Sequence, residues 1–225
     1  MSPNRRTRRH WSSLGAFTLV ELMVIIVVIG LLAGIILPSL NKARLKANAN
    51  HCADQHRQLG QAYGEYIADD QRPIVRQKMA GNQCNAWERK LLLHAGQDRG
   101  WHCPDCRQGH HGVGYNHALG ELGDLSRVKQ PKSTVVFGDA GLVANPDQAD
   151  PNEWVEKKSV RPLKDTGVFE VPASANWKSK PLRMVNRHLG RGSAVFADGH
   201  VETLPVGAIG FQYEAGHARA LWDNE

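Results

Sequence analysis

Apolar side chains divide this chain into three stretches with different periods. From 17 to 37 the run FTLVELMVIIVVIGLLAGIIL is apolar throughout except for one charge, Glu21. At about 1.5 Å per residue, a helix of this length crosses a hydrocarbon layer of about 30 Å, so the pattern predicts one membrane-spanning segment. From 38 to 70 the chain is polar but periodic. Leu45, Ala49, Cys52, His56, Leu59, Tyr63 and Tyr66 recur at spacings of four and three, which puts them on one face of a helix. Pro38 stands between the two halves, where it is expected to kink rather than end the helix. His56 falls on the apolar stripe and is expected to pack there as a core histidine.

From 71 to 225 short apolar segments alternate with turns. A brief helix is expected over 87–94, with Trp87, Leu91 and His94 on one side, and a strand over 134–138. Segments 194–197 and 200–204 predict a hairpin around Asp198 and Gly199, the dipeptide that supplies the positive φ values of a two-residue turn. Residues 142–180 are rich in Pro, Asn, Asp and Lys and predict a long surface excursion. The expected fold class is α+β: a long N-terminal helix whose outer half packs on a small antiparallel β-sheet.

Charge refines the picture of the first stretch. The formal net charge is +6, but Arg5, Arg6, Arg8 and Arg9 precede the apolar run and no acid lies among residues 1–16, so removing them leaves about +2. The basic balance is mostly a topological signal that holds the N-terminus in the cytoplasm and sends the C-terminal bulk across the membrane. It gives little support to nucleic-acid binding, and no specific nucleic acid is expected. Lys42, Arg44 and Lys46 either meet lipid headgroups or form a solvated helix face. Glu21 is harder to place, because an acid one turn into a membrane helix costs about 2.5–3.5 kcal/mol on insertion scales. A secretory signal peptide has a shorter apolar core followed, not preceded, by small residues. An uncut anchor accounts for the length and the arginines but gives Glu21 no role.

The string GAFTLVELMVIIVVIG resembles the processing site of type IV prepilins and pseudopilins, in which a basic leader is cut just before a Phe and the fifth mature residue is Glu. A cut after Ala16 makes Phe17 the new terminus and Glu21 the fifth residue, with Gly30 and Pro38 also in positions typical of such helices. The family places Gly directly before the cut, whereas here Gly15 comes one position early. The resemblance implies a cleaved leader (1–16), a transmembrane and assembly helix (17–37), the outer half of that helix (38–70) and a globular periplasmic or extracellular domain (71–225). It further implies cleavage and N-methylation at Gly15, Ala16 and Phe17 by a prepilin peptidase. Assembly with other pilin or pseudopilin subunits would use Phe17 and Glu21, the carboxylate pairing with a neighbour's terminal ammonium. HCADQHRQLGQAYGEY, WHCPDC, PKSTVVFGDA and RHLGRGSAVFADGHVE also resemble a bacterial group of prepilin-type proteins with a C-terminal His, nine residues, then Asp-Gly. His188, Asp198 and Gly199 meet that spacing.

Four cysteines, Cys52, Cys84, Cys103 and Cys106, suit two disulfides if the domain is exported. For Cys103 and Cys106 in WHCPDC a disulfide is favoured over zinc, whose ligand spacing they also meet with His102, His110, His111 and His117 near in sequence, because no second ligand pair of similar spacing is clear. A redox centre would need a βαβ context that is missing from the pattern. Asp139, His188, Asp198 and His200 could hold a cation for hydrolysis, or calcium in a turn. In the simpler account Asp139 ends a strand, Asp198 serves the turn and His188 hydrogen-bonds across the hairpin. The expectation is therefore a non-enzymatic fibre subunit, in a type IV pilus or type II secretion pseudopilus, that needs no cofactor. The alternative is a single-pass, membrane-anchored metal-binding or hydrolase domain.

Overall fold

A computed structural model describes residues 17–70, 74, 86–96, 101–106, 112–122, 125–157 and 167–223. Gly15 and Ala16, where the leader cut is expected, lie outside them, as do Cys84, His110 and His111. The chain divides into two units, Met1–Ala43 and Arg44–Glu225. Helix α1, Leu19–Asp69, contributes to both, and Pro38 lies inside it.

In the first unit α1 starts with a reciprocal cap. The Thr18 hydroxyl oxygen accepts from the Glu21 N–H at 3.2 Å, while Glu21 Oε2 accepts from the Thr18 N–H at 2.9 Å and from its hydroxyl at 2.7 Å. This Thr-x-x-Glu box satisfies amide donors that the first helical turn otherwise leaves unpaired. The large apolar side chains that follow are exposed from Leu19 to Leu40. The helix is long and apolar enough to cross a membrane.

In the second unit, the later turns of α1 bury Cys52, His56, Leu59, Ala62, Tyr63 and Tyr66. The predicted stripe is therefore present, except that Leu45 is exposed and Ala49 only half-buried. Helix α2, Ala86–Ala95, buries Trp87 and Leu91 beside it. Six strands follow: β1 (Val113–Asn116), β2 (Val135–Leu142), β3 (Val168–Phe169), β4 (Leu182–Met184), β5 (Gly192–Phe196) and β6 (Val201–Leu204). Their order is β3-β1-β2-β5-β6, with β4 also paired to β2.

The sheet is mixed, which corrects the antiparallel expectation: β3 runs parallel to β1. Segment 142–180 is thus not wholly a surface excursion, since it supplies β3 and buries Trp154, Phe169 and Val171. Gly114 on β1 allows the close approach, because a Cβ there would lie 2.9 Å from the Val168 carbonyl carbon. The Trp87 indole fixes the same segment by donating to the Gly167 carbonyl at 2.6 Å.

Side chains of the sheet enter two apolar clusters. Along β5, Val195 joins the cluster that contains α1 and α2, while Ala194 and Phe196 join the one that contains Val206, Ile209, Phe211 and Trp222. Strands covered on both faces read as continuous apolar runs, and β1 and β5 are buried at every position. In the first cluster Tyr63, Trp87 and Tyr115 surround Phe137, with ring centroids 5.5, 5.1 and 5.3 Å away.

The hairpin of β5 and β6 forms with a different turn from the expected one. Phe196 N–H donates to the His200 carbonyl and Gly199 N–H to the Phe196 carbonyl, so Ala197, Asp198 and Gly199 form the loop. Gly199 alone has positive φ, at 88°, as in a three-residue loop ending on a left-handed glycine. A two-residue turn with both φ values positive occurs instead at Leu189 and Gly190, φ 52° and 75°, between the bridged residues His188 and Arg191.

Candidate metal centre

Four side chains from four separate segments converge inside the second unit. Cys52 comes from the buried stripe of α1, Cys103 from the turn at 103–106, Asp139 from the middle of β2 and His188 from the turn preceding β5. Their donor atoms all lie within 4.8 Å of one another, and all four residues are buried. The Cys52 thiol donates to Asp139 Oδ1 at 3.3 Å, and Cys103 Sγ lies 3.2 Å from His188 Nε2.

Backbone geometry explains each placement. Cys52 is carried in by the helical periodicity that also buries His56 and Leu59. Asp139 lies within β2 with its side chain fully buried, not at a strand end as expected, and its Oδ2 accepts from the Ser193 N–H at 2.8 Å. His188 is held by the tight turn: its N–H donates to the Arg191 carbonyl at 2.9 Å and its carbonyl accepts from the Arg191 N–H at 3.0 Å. Leu189 takes a backbone conformation that a residue with a Cβ enters at a cost of about 1–2 kcal/mol, and its exposed side chain recovers none of this by packing. The strained turn orients His188 toward Cys103, so its expected role across the β5–β6 hairpin is not what the structure shows.

A second layer surrounds the four. His188 Nδ1 lies 3.1 Å from Asp105 Oδ2, within ion-pair range though off the line of a hydrogen bond. Asn48 on α1 donates to the other Asp105 oxygen at 2.6 Å. Arg187 contacts Asp139 Oδ1 at 3.3 Å and donates to the carbonyls of Gly112 and Ala140, each at 2.7 Å. Its remaining donors reach both carboxylate oxygens of Glu156, at 2.6 and 3.0 Å. Gly112, with φ 75°, leaves room for Cys106, whose Sγ would clash with a Cβ at that position.

Protonation is polarised across the thiols. The neighbouring Cys106 and then Cys52 thiols hold Cys103 far below the ordinary thiol range, with help from His188 and Arg187. The nearby Cys103 sulfur, together with burial, pushes Cys52 and Cys106 up, and Asp139 adds to the effect on Cys52. Burial works against the His188 imidazolium, but Cys103, Asp139 and Asp105 raise its pKa overall. Burial also opposes the Arg187 charge, which Glu156 and Asp139 more than restore.

The structure separates groups that the sequence associates. Asp139 and His188 join the cluster, whereas Asp198 and His200 sit on the hairpin loop and pair with each other. His117 approaches Glu170 at 3.5 Å, and His102 is exposed. His56 is buried with Nδ1 2.9 Å from the Cys52 carbonyl, its Nε2 without a hydrogen-bond partner. Cys52, Cys103 and Cys106 are unlinked in this structure. Cys103 thus meets Cys52 and His188 as well as Cys106. No local signal connected Cys52 with Cys103, or marked Arg187 and Glu156, because their sequence separations exceed any motif. Sulfur, imidazole and carboxylate converging in a buried space can hold a metal ion. Comparison of the chain with family models, curated proteins and solved structures returns no match.

Proposed function

We propose that this chain is a prepilin-like structural subunit, anchored in the inner membrane by the apolar half of α1 and assembled through it into a type IV pilus or type II secretion pseudopilus. The observation that carries the reading is the start of α1, where one carboxylate caps a helix whose next large apolar side chains are all exposed. Such a surface requires lipid before assembly and neighbouring helices after it. Glu21 sits four residues from Phe17, and a carboxylate at that depth is tolerated when an opposite charge pairs with it. The terminal ammonium of a neighbouring mature subunit is that charge. Prepilin peptidase is the processing partner, the globular domain faces the periplasm or the exterior, and this role asks for no cofactor.

The test is the mature terminus. Mass spectrometry of protein purified from membranes of its own host should find a chain beginning at Phe17, N-methylated. An intact leader on the membrane form would refute the reading. The cluster around Cys103 favours a second one, a membrane-anchored metal-binding domain, and the presence or absence of the natural chain in sheared filaments separates the two.

A further inference from the structure

We infer that Cys52, Cys103, Asp139 and His188 bind one zinc ion, as a closed four-coordinate centre that ties α1 to the sheet. The inference rests on the cluster's geometry and stands whether or not the chain enters a fibre.

Donor chemistry selects the metal class. Two thiolates and an imidazole suit zinc far better than calcium or magnesium, which take oxygen donors almost exclusively. Zinc bonds of about 2.0–2.3 Å in a tetrahedron separate the ligand atoms by about 3.3–3.8 Å. The two printed edges of the cluster, 3.3 Å from Cys52 Sγ to Asp139 Oδ1 and 3.2 Å from Cys103 Sγ to His188 Nε2, are near that spacing. The remaining donor separations stay within 4.8 Å, so side-chain adjustments of at most about 1–1.5 Å would bring them to the tetrahedral spacing.

The outer layer has the features that orient metal ligands. A ligating histidine commonly presents its second nitrogen to a carboxylate, which fixes the ring. Here His188 Nε2 faces the cluster while Nδ1 faces Asp105, itself positioned by Asn48. Asp139 keeps Oδ1 toward Cys52 while the Ser193 amide occupies Oδ2. Two thiolates, one carboxylate and Zn²⁺ sum to one negative charge, and Arg187, 3.3 Å from Asp139 and shared with Glu156, places a cation beside it. Four buried protein donors leave no position for a reacting water, so the centre is structural, not catalytic. Cys106 is assigned outside the shell, because the donors that lie within 4.8 Å of one another are those of Cys52, Cys103, Asp139 and His188.

The test uses the full chain, purified in detergent without chelator, with metal content measured by plasma mass spectrometry and folding followed by circular dichroism. One zinc per chain is expected. Cys52→Ser and His188→Ala should lose it, whereas Cys106→Ser should keep it. Because ligand variants can fail to fold, the unmodified chain reloaded with cobalt(II) supplies a second measurement. Its visible bands should be those of a tetrahedral ion, and its near-ultraviolet sulfur-to-cobalt band should have the intensity of two thiolates. A metal-free chain, a Cys52–Cys103 disulfide in the purified protein, zinc retained by Cys52→Ser, or a three-thiolate cobalt spectrum would each overturn the assignment.

Discussion

Arg187 shows how much of the domain's polar interior depends on one side chain. Its fork bonds two backbone carbonyls and both oxygens of Glu156, and it also touches Asp139; its own side chain is 4% exposed. Arg187→Ala would leave a fully buried carboxylate and two carbonyls without this donor. Removing one partner of a buried pair costs about 3–5 kcal/mol, a large share of a domain's total stability. Arg187→Lys should recover only a part, because an ammonium cannot form the planar fork. Denaturant titration of the purified chain checks both, and an unchanged midpoint for Arg187→Ala would refute this account. Nothing in the sequence marked Arg187, whose partners lie up to 75 residues away. The Leu189 turn was hidden for another reason, since a leucine gives no local signal for positive φ, whereas Asp198-Gly199 gives a strong one. The hairpin was legible and its turn geometry was not.

At the scale of elements, α1 meets the β5–β6 hairpin through two glycines. A Cβ on Gly60 would lie 2.6 Å from the Gly199 carbonyl oxygen, and the Gly60 carbonyl oxygen lies 3.4 Å from the corresponding position on Gly199. Gly64, one turn later, is exposed and has nothing within 4 Å of its Cβ position. Alanine stabilises a helix interior by up to about 1 kcal/mol over glycine, so Gly64→Ala should raise the melting temperature. At Gly60 the same gain is opposed by overpacking against backbone, which costs about 1–3 kcal/mol, and the melting temperature should fall. Opposite shifts for the two variants, read by thermal circular dichroism, test whether the contact constrains the helix. The helix itself was legible because five of its seven predicted stripe positions are buried. The sheet was less so: β3 is only two residues long, Val168–Phe169, too short for any alternation, and its parallel pairing depends on a long-range partner.

For the whole molecule, what remains to be explained is why a helix with so exposed an apolar surface keeps a carboxylate near its start. The cap offers a local role, because Glu21 and Thr18 satisfy each other's amides, and a cap of this kind contributes about 0.5–2 kcal/mol. The local role and the assembly role separate chemically. Glutamine also reaches back in a capping box, so Glu21→Gln keeps the cap and removes only the charge. Alanine removes both. If capping were the whole function, Glu21→Gln would match the natural chain and Glu21→Ala alone would show a loss. In an assembling subunit both variants should still insert, since losing a charge eases residence in the bilayer, and both should fail at recruitment, where the incoming Phe17 ammonium no longer meets its counter-charge in a medium that excludes water. The globular unit should be unaffected, with the same zinc content and thermal midpoint in both variants. The measurement is the ratio of sheared filaments to membrane-bound protein in the native host, expected to fall at least tenfold for Glu21→Gln. A wild-type ratio for Glu21→Gln beside a reduced one for Glu21→Ala would assign the carboxylate to the cap, whereas absence of the natural chain itself from the sheared filaments would make the membrane-anchored metal-binding domain the better description of this protein.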